Sequence, residues 1–221
     1  MDGLKMNKAE RLQTAREEIV NSLTHGFGMA LSSGGVGVLI VLAALFGEAR
    51  HIVACSIYGG SLVFLYAAST LYHTARSPRA KQVFRVVDHI AILLLIAGTY
   101  TPFTLVHLRG GWGWTLFGLV WGIAVAGTIF KIISARRFGG FFTVVYLLMG
   151  WLFVLFLKPM LAALPMGALL WLLAGGLCYT IGVVFYVWER LPYSHAIWHL
   201  FVLGGSTCHY FAVLFHVLPE G

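Results

Sequence analysis

The sequence predicts an all-α, polytopic membrane protein with seven transmembrane helices, and three observations carry that prediction. Of its 221 residues, 59% are apolar and 10% charged, with a mean hydropathy of +0.86; this is too apolar for a soluble globule and too long for a single anchor. Apolar runs recur at about 26–46, 52–75, 86–107, 112–133, 141–158, 165–188 and 195–218. Each approaches or exceeds the roughly 20 residues that cross a hydrocarbon core about 30 Å thick. The cations, finally, are concentrated in alternate breaks between the runs.

The chain begins with a polar stretch over residues 1–24, expected to be a cytoplasmic amphipathic segment ahead of a seven-helix domain over 25–221. It mixes Lys5, Lys8, Arg11 and Arg16 with Glu10, Glu17 and Glu18, and Leu12, Ile19 and Leu23 give it an apolar face. The run that follows is too long for a signal peptide and no A-x-A-like site closes it, so the segment is expected to stay in the mature protein. Breaks between runs fall at Gly47-Glu48-Ala49-Arg50, Arg76-Ser77-Pro78-Arg79, Arg109-Gly110-Gly111, Arg136-Arg137, Lys158-Pro159 and Leu191-Pro192. The fifth run is the shortest.

Within the third run, Gly98-Thr99-Tyr100-Thr101-Pro102 predicts a proline kink whose freed carbonyls are satisfied by the hydroxyls. Small residues such as those of Gly118-x3-Gly122 predict close helix packing. Trp112, Trp114, Trp188 and Tyr193 belong to interfacial belts. Cys55, Cys178 and Cys208 stand in separate runs without a Cys-x-x-Cys pair, and are expected to be small buried hydrophobes.

Orientation follows from where the cations fall. Lys5, Lys8, Arg11 and Arg16, then Arg76, Arg79, Lys81 and Arg85, then Lys131, Arg136 and Arg137, and finally Arg190 lie on one side; Arg50, Arg109 and Lys158 lie on the other. Twelve against three predicts a cytoplasmic N-terminus and, after seven crossings, an outside C-terminus. The net charge of +7 is therefore a topology signal with an anionic leaflet as its partner, and nothing in it requires nucleic acid. Membrane lipids are the expected partners. The oligomeric state is not encoded in any pattern found.

That topology sorts nine histidines by depth. His51, His107 and His216 fall towards the outer ends of their helices. His195 and His199 open the last span at i and i+4, about 40° apart in azimuth and about 6 Å along the axis, so both rings can ligate one ion. Ser69 and His73 repeat that spacing at the inner end of the second span, and Asp88 enters at the same level on the third. A carboxylate and three imidazoles at membrane depth are costly unless something compensates.

Three neutral nitrogen ligands with an open fourth position are the arrangement of catalytic zinc. The alternative is a hydrogen-bonded polar cluster holding three helices together. Asp88 is then either a fourth ligand or the general base for a water at the metal. Ser69 either holds Asp88 or an oxyanion, or bonds back to its own helix. Alanine replaces the glutamate that a zincin helix needs in His195-Ala196-Ile197-Trp198-His199, which argues against that type of protease. Glu17, Asn21 and His25 share a face at i, i+4 and i+8, and either cap the site or anchor a loop. His89 and His209 are expected to be structural hydrogen-bonders.

Taken together, Glu17-Glu18-x2-Asn21-x3-His25-x2-Gly28, Ser69-x3-His73, Asp88, Gly98-Thr99-Tyr100-Thr101-Pro102 and His195-x3-His199 resemble the hemolysin III family. That family is related to the progestin and adipoQ receptors and, more distantly, to alkaline ceramidases. The resemblance implies seven helices with a cytoplasmic N-terminus in a bacterial inner membrane. It also implies zinc on His73, His195 and His199, with Asp88 bonded to water at the zinc and Ser69 beside it. The long N-terminal domain of the animal receptors has no counterpart, so hormone binding is not carried over. The expected function is zinc-dependent hydrolysis of a lipid amide or ester, with a fatty acid or ceramide-like ligand. The alternatives are a lipid-responsive receptor or fluidity regulator, or the cytolysis in the family name, for which no amphipathic hairpin is found.

Overall fold

The computed structural model describes residues 13–134, 139–188 and 190–219. Residues 1–12, which carry Lys5, Lys8, Glu10, Arg11 and Leu12 of the lead-in segment, and Arg136 and Arg137 of the loop after the fourth span lie outside the described residues. The described chain is helical throughout, without strands. Its helices are α1 (Ala15–Phe46), α2 (Ala49–Thr74), α3 (Pro78–Pro102), α4 (Gly110–Ser134), α5 (Gly139–Gly150), α6 (Leu157–Ala163), α7 (Met166–Val187) and α8 (Ser194–His216). Seven spans are long and apolar enough to cross a membrane, the third continuing from α3 to Leu108 and the fifth combining α5 with α6. The chain is a multi-pass membrane protein.

The first helix starts about eleven residues before the apolar run predicts, at a capping box. Thr14 accepts from the Glu17 backbone N–H at 3.3 Å, and the Glu17 carboxylate accepts from the Thr14 N–H at 2.8 Å. One rod thus joins the second half of the lead-in to the first span, crossing the expected boundary at 24/25. Its polarity is inside out relative to a soluble helix: Asn21 is 0% exposed, whereas Leu23 is 67% exposed. In lipid this is the favourable arrangement, because apolar side chains lose nothing outside and polar ones find partners only inside.

Helices α1, α2 and α3 pack in chain order, α4 lies on α3, α8 lies between α1 and α7, and α5 reaches both α3 and α7. This arrangement leaves a cavity of about 870 Å³ that is open at the end where exposed Arg76, Pro78 and Gln82 line it. Close approach around it depends on glycine at particular places. A Cβ on Gly28 would meet the Tyr66 ring at 2.7 Å and Leu203 at 2.8 Å. Gly118 and Gly122, by contrast, have nothing within 4 Å, so the expected packing role of that pair is not found within the described chain.

At the expected kink the third span stays continuous and widens after Pro102 into a π-helical stretch over Phe103–Leu108. Thr99 and Thr101 donate to the Leu95 and Ala97 carbonyls at 2.8 and 2.9 Å. The carbonyl that Pro102 leaves without its usual donor is that of Gly98, so the hydroxyls reinforce neighbouring carbonyls rather than the freed one. Trp121 then donates to the Thr101 hydroxyl at 3.1 Å, tying α4 to the kink.

The fifth span runs past the expected boundary at Lys158-Pro159 to Ala163, and it is broken within itself. The helix stops at Gly150, passes through a 3-10 stretch over Leu152–Phe156, and resumes as α6. Pro159 sits in the first turn of α6, where a missing N–H costs no helical bond. At the break, the Tyr100 hydroxyl donates towards the carbonyls of Met149 and Gly150 at 3.1 and 2.8 Å, and accepts from the Phe153 N–H at 3.1 Å. One phenol from α3 satisfies backbone groups that lipid cannot.

Candidate functional site

The last turn of α2 and the first two turns of α8 bring His73, His195 and His199 together. Ligand nitrogens of the three lie within 4.8 Å of one another, the one such group among the described residues. Ring centroids are 5.1 Å apart for His73 and His195, 5.0 Å for His73 and His199, and 4.6 Å for His195 and His199. His199 is 1% exposed and His73 is 5% exposed.

Hydrogen bonds settle which nitrogens face the cluster. Nδ1 of His73 stands 2.7 Å from Oε2 of Glu18, and Nδ1 of His199 stands 3.3 Å from the Asn21 backbone carbonyl. Both partners accept, so in the neutral rings Nδ1 carries the proton and Nε2 keeps its lone pair. Nε2 of His73 is buried without any partner. An orphaned buried acceptor beside two further imidazoles is the donor set that a borderline-soft cation such as zinc requires. The residues fit the metal.

Asp88 and Ser69 sit next to this cluster. The Ser69 hydroxyl is directed to the Asp88 carboxyl, and both residues line the cavity. Asp88 is not among the groups within the 4.8 Å set, an arrangement that suits a base beside the cluster better than a fourth ligand. Lys131, counted from the sequence as a loop cation, is in fact 3% exposed at the end of α4, with Nζ 4.6 Å above the Phe142 ring. It lies within electrostatic reach of Asp88.

The polar face of α1 reaches the same place. Glu17 accepts from the backbone N–H of Tyr193 at 3.0 Å, the residue that starts α8 with a left-handed φ of 57°. His25 lies parallel to His199 with centroids 3.4 Å apart and planes 13° apart, and meets Tyr66 edge-on at 5.1 Å. His25 is not among the three clustered rings and instead lies against the face of one of them. Glu17 thus both caps its own helix and anchors the loop that leads into α8, while Asn21 and His25 stand behind His199.

Of the other histidines, His209 is a structural hydrogen-bonder, its Nε2 donating to the Leu172 carbonyl at 3.2 Å. His89 makes its tie through its backbone, whose carbonyl accepts from the Tyr146 hydroxyl at 3.0 Å; its Nδ1 is buried without a partner. The residue that sequence reasoning missed is Glu18. Its signal was available: a buried ligand histidine calls for a carboxylate on its other nitrogen, and Glu18 stands in the same turn as Glu17.

From the cluster the cavity follows α3 past Ile92, Leu95, Ile96 and Thr99 to Phe103. Asp88 and Phe103 are about 22 Å apart at the helical rise. The wall is apolar for most of that length and polar at the cluster.

Fold and site together define a seven-helix membrane protein with a three-histidine cluster, two of its rings buried, beside a largely apolar cavity. The sequence model of the family described as Haemolysin-III related matches residues 13–210, and the chain belongs to that family. It is 49% identical to Hemolysin-3 of Bacillus cereus over 207 residues, covering 94% of each chain. It is 46% identical to the Hemolysin-3 homolog of Bacillus subtilis (strain 168) over 203 residues, covering 92% of this chain and 95% of that one. A human relative, monocyte to macrophage differentiation factor, is 28% identical over 209 residues, covering 90% of this chain and 84% of its own.

Proposed function

We propose that the protein is a zinc-dependent hydrolase of lipid amide or ester bonds acting in membrane lipid homeostasis, with the metal on His73, His195 and His199. The observation that carries this reading is the placement of His195, His199 and Asp88 in the wall of one cavity whose side along α3 is mostly apolar, with His73 clustered behind them. Zinc held by three imidazoles supplies Lewis-acid polarisation of a carbonyl and acidifies water.

The chain's own residues do the rest. The cavity takes the hydrocarbon chain along its apolar side, so the scissile carbonyl is held at the polar end. Asp88 accepts the proton of the attacking water and returns it to the leaving amine or alcohol. Ser69 holds the Asp88 carboxyl towards that position. The products are a carboxylic acid and an amine or alcohol.

The test uses the full chain purified in lipid nanodiscs, offered N-acyl and O-acyl lipids, with released fatty acid read by mass spectrometry. Lipid profiles of cells expressing the wild type, Asp88→Asn and His199→Ala are compared in parallel. Release by the wild type alone is the expected result. Identical profiles with no release from zinc-loaded protein would overturn the enzyme reading and leave a metal-stabilised receptor or regulator. The cation asymmetry puts the histidine cluster at the cytoplasmic face; a reporter fused after Gly221 is expected outside, and a cytoplasmic signal there would reverse this assignment.

A further inference from the structure

The geometry points to Glu18 as the positioning carboxylate of the metal centre: it fixes His73 through one oxygen while Lys81 clamps it through the other. This rests on the metal reading above. Oε2 of Glu18 holds Nδ1 of His73 at 2.7 Å, and Oε1 holds Nζ of Lys81 at 2.6 Å. The His73 side chain is fully buried, and those of Glu18 and Lys81 are mostly buried. Lys81 is itself fixed, lying 4.7 Å from the Tyr72 ring centroid and 3.4 Å from the Tyr72 carbonyl.

Each part of this chain of contacts has a consequence for His73. A carboxylate has no proton to give when ionised, so it selects the His73 tautomer with Nε2 free and raises the basicity of that nitrogen. A lone carboxylate would also add a negative charge beside the cluster. Lys81 cancels it, so the imidazoles are oriented by an ion pair of zero net charge. The three residues come from α1, α2 and α3, so the ion pair sets how these helices meet at the ligand. A tie between helices alone would need no third partner, whereas here the shared carboxylate ends on the one ligand that α2 provides.

The experiment compares full-length wild type, Glu18→Ala, Glu18→Gln, Glu18→Asp and Lys81→Met, with Glu48→Gln at the far end of α2 as control. Zinc affinity is measured by chelator competition, and cobalt is substituted to read the ligand-field absorption. Melting of the metal-free form is recorded for each. Glu18→Ala is expected to weaken zinc binding roughly 10- to 100-fold and to shift the cobalt bands, with Glu18→Asp restoring part of both. Lys81→Met should weaken binding less, and Glu48→Gln should not change it. Should Glu18→Ala fail to fold, Glu18→Gln, which keeps the shape and loses the charge, decides by the same two readings. Unchanged zinc affinity and cobalt spectrum in the folded Glu18 variants would overturn the proposal while leaving the metal reading intact. A wild type that binds no zinc would instead overturn the metal reading itself.

Discussion

At one end of the bundle His73, His195 and His199 turn their nitrogens towards one another, whereas at the other end His51, His107 and His216 are used to close helix ends. Nδ1 of His51 accepts from the Glu48 backbone N–H at 2.9 Å, completing the capping box of α2. Nε2 of His107 donates to the His216 carbonyl at 2.7 Å, joining the end of the third span to the end of α8. The His216 ring fills the space beside Gly167. Helix termini leave backbone groups without partners, and the rings of His51 and His107 are consumed by such groups. At the clustered end Glu17 takes the N–H of Tyr193, Glu18 takes Nδ1 of His73 and the Asn21 carbonyl takes Nδ1 of His199. The difference between the clustered histidines and those at the other end therefore lies in what the surrounding residues have already satisfied.

The comparison breaks most readily at the ligands. Replacing both His195 and His199 by alanine should reduce zinc from about one ion per chain to background by elemental analysis of purified protein; stoichiometric zinc in that variant would remove the distinction between the ends. Asp88→Asn is next. Zinc should remain, because the three imidazoles are untouched, while lipid hydrolysis falls by about 100-fold or more, the usual contribution of a general base. Loss of zinc in this variant would make Asp88 a ligand.

Smaller effects test the packing behind each end. Gly28→Ala forces the Tyr66 ring away from the new Cβ, and Tyr66 in turn supports His25. Overpacking of this kind costs about 1–3 kcal/mol, to be seen as a lower melting temperature; Gly118→Ala, with open space around it, should leave melting unchanged. Equal melting of the two variants would mean that Tyr66 moves freely. His107→Ala should cost only about 0.5–1.5 kcal/mol, the worth of one hydrogen bond, with zinc content unchanged. A fall in zinc there would show that the two ends are coupled.

The seven spans were legible because lipid imposes length and hydropathy on every crossing. The depth of Ser69, His73, Asp88, His195 and His199 was legible for a related reason: helical rise converts sequence position into height. What escaped was anything decided by a partner far along the chain. Glu18 reads as one more charge in a polar lead-in, and only the fold brings Lys81 and His73 to its two oxygens. Lys131 reads as a loop cation, yet its helix continues to Ser134 and buries it against Phe142. Gly118 and Gly122 read as a packing pair, but no helix of the described chain comes near them.

The broken fifth span bears on how the protein is made. Its backbone is interrupted between Gly150 and Phe153, and the groups exposed there are bonded by the Tyr100 hydroxyl. A segment with unsatisfied amides does not rest in hydrocarbon by itself. Synthesis runs from the N-terminus, so Tyr100 is made before the break at Gly150 that its hydroxyl satisfies. Tyr100→Phe would leave that break without its partner whatever the order in which the spans insert.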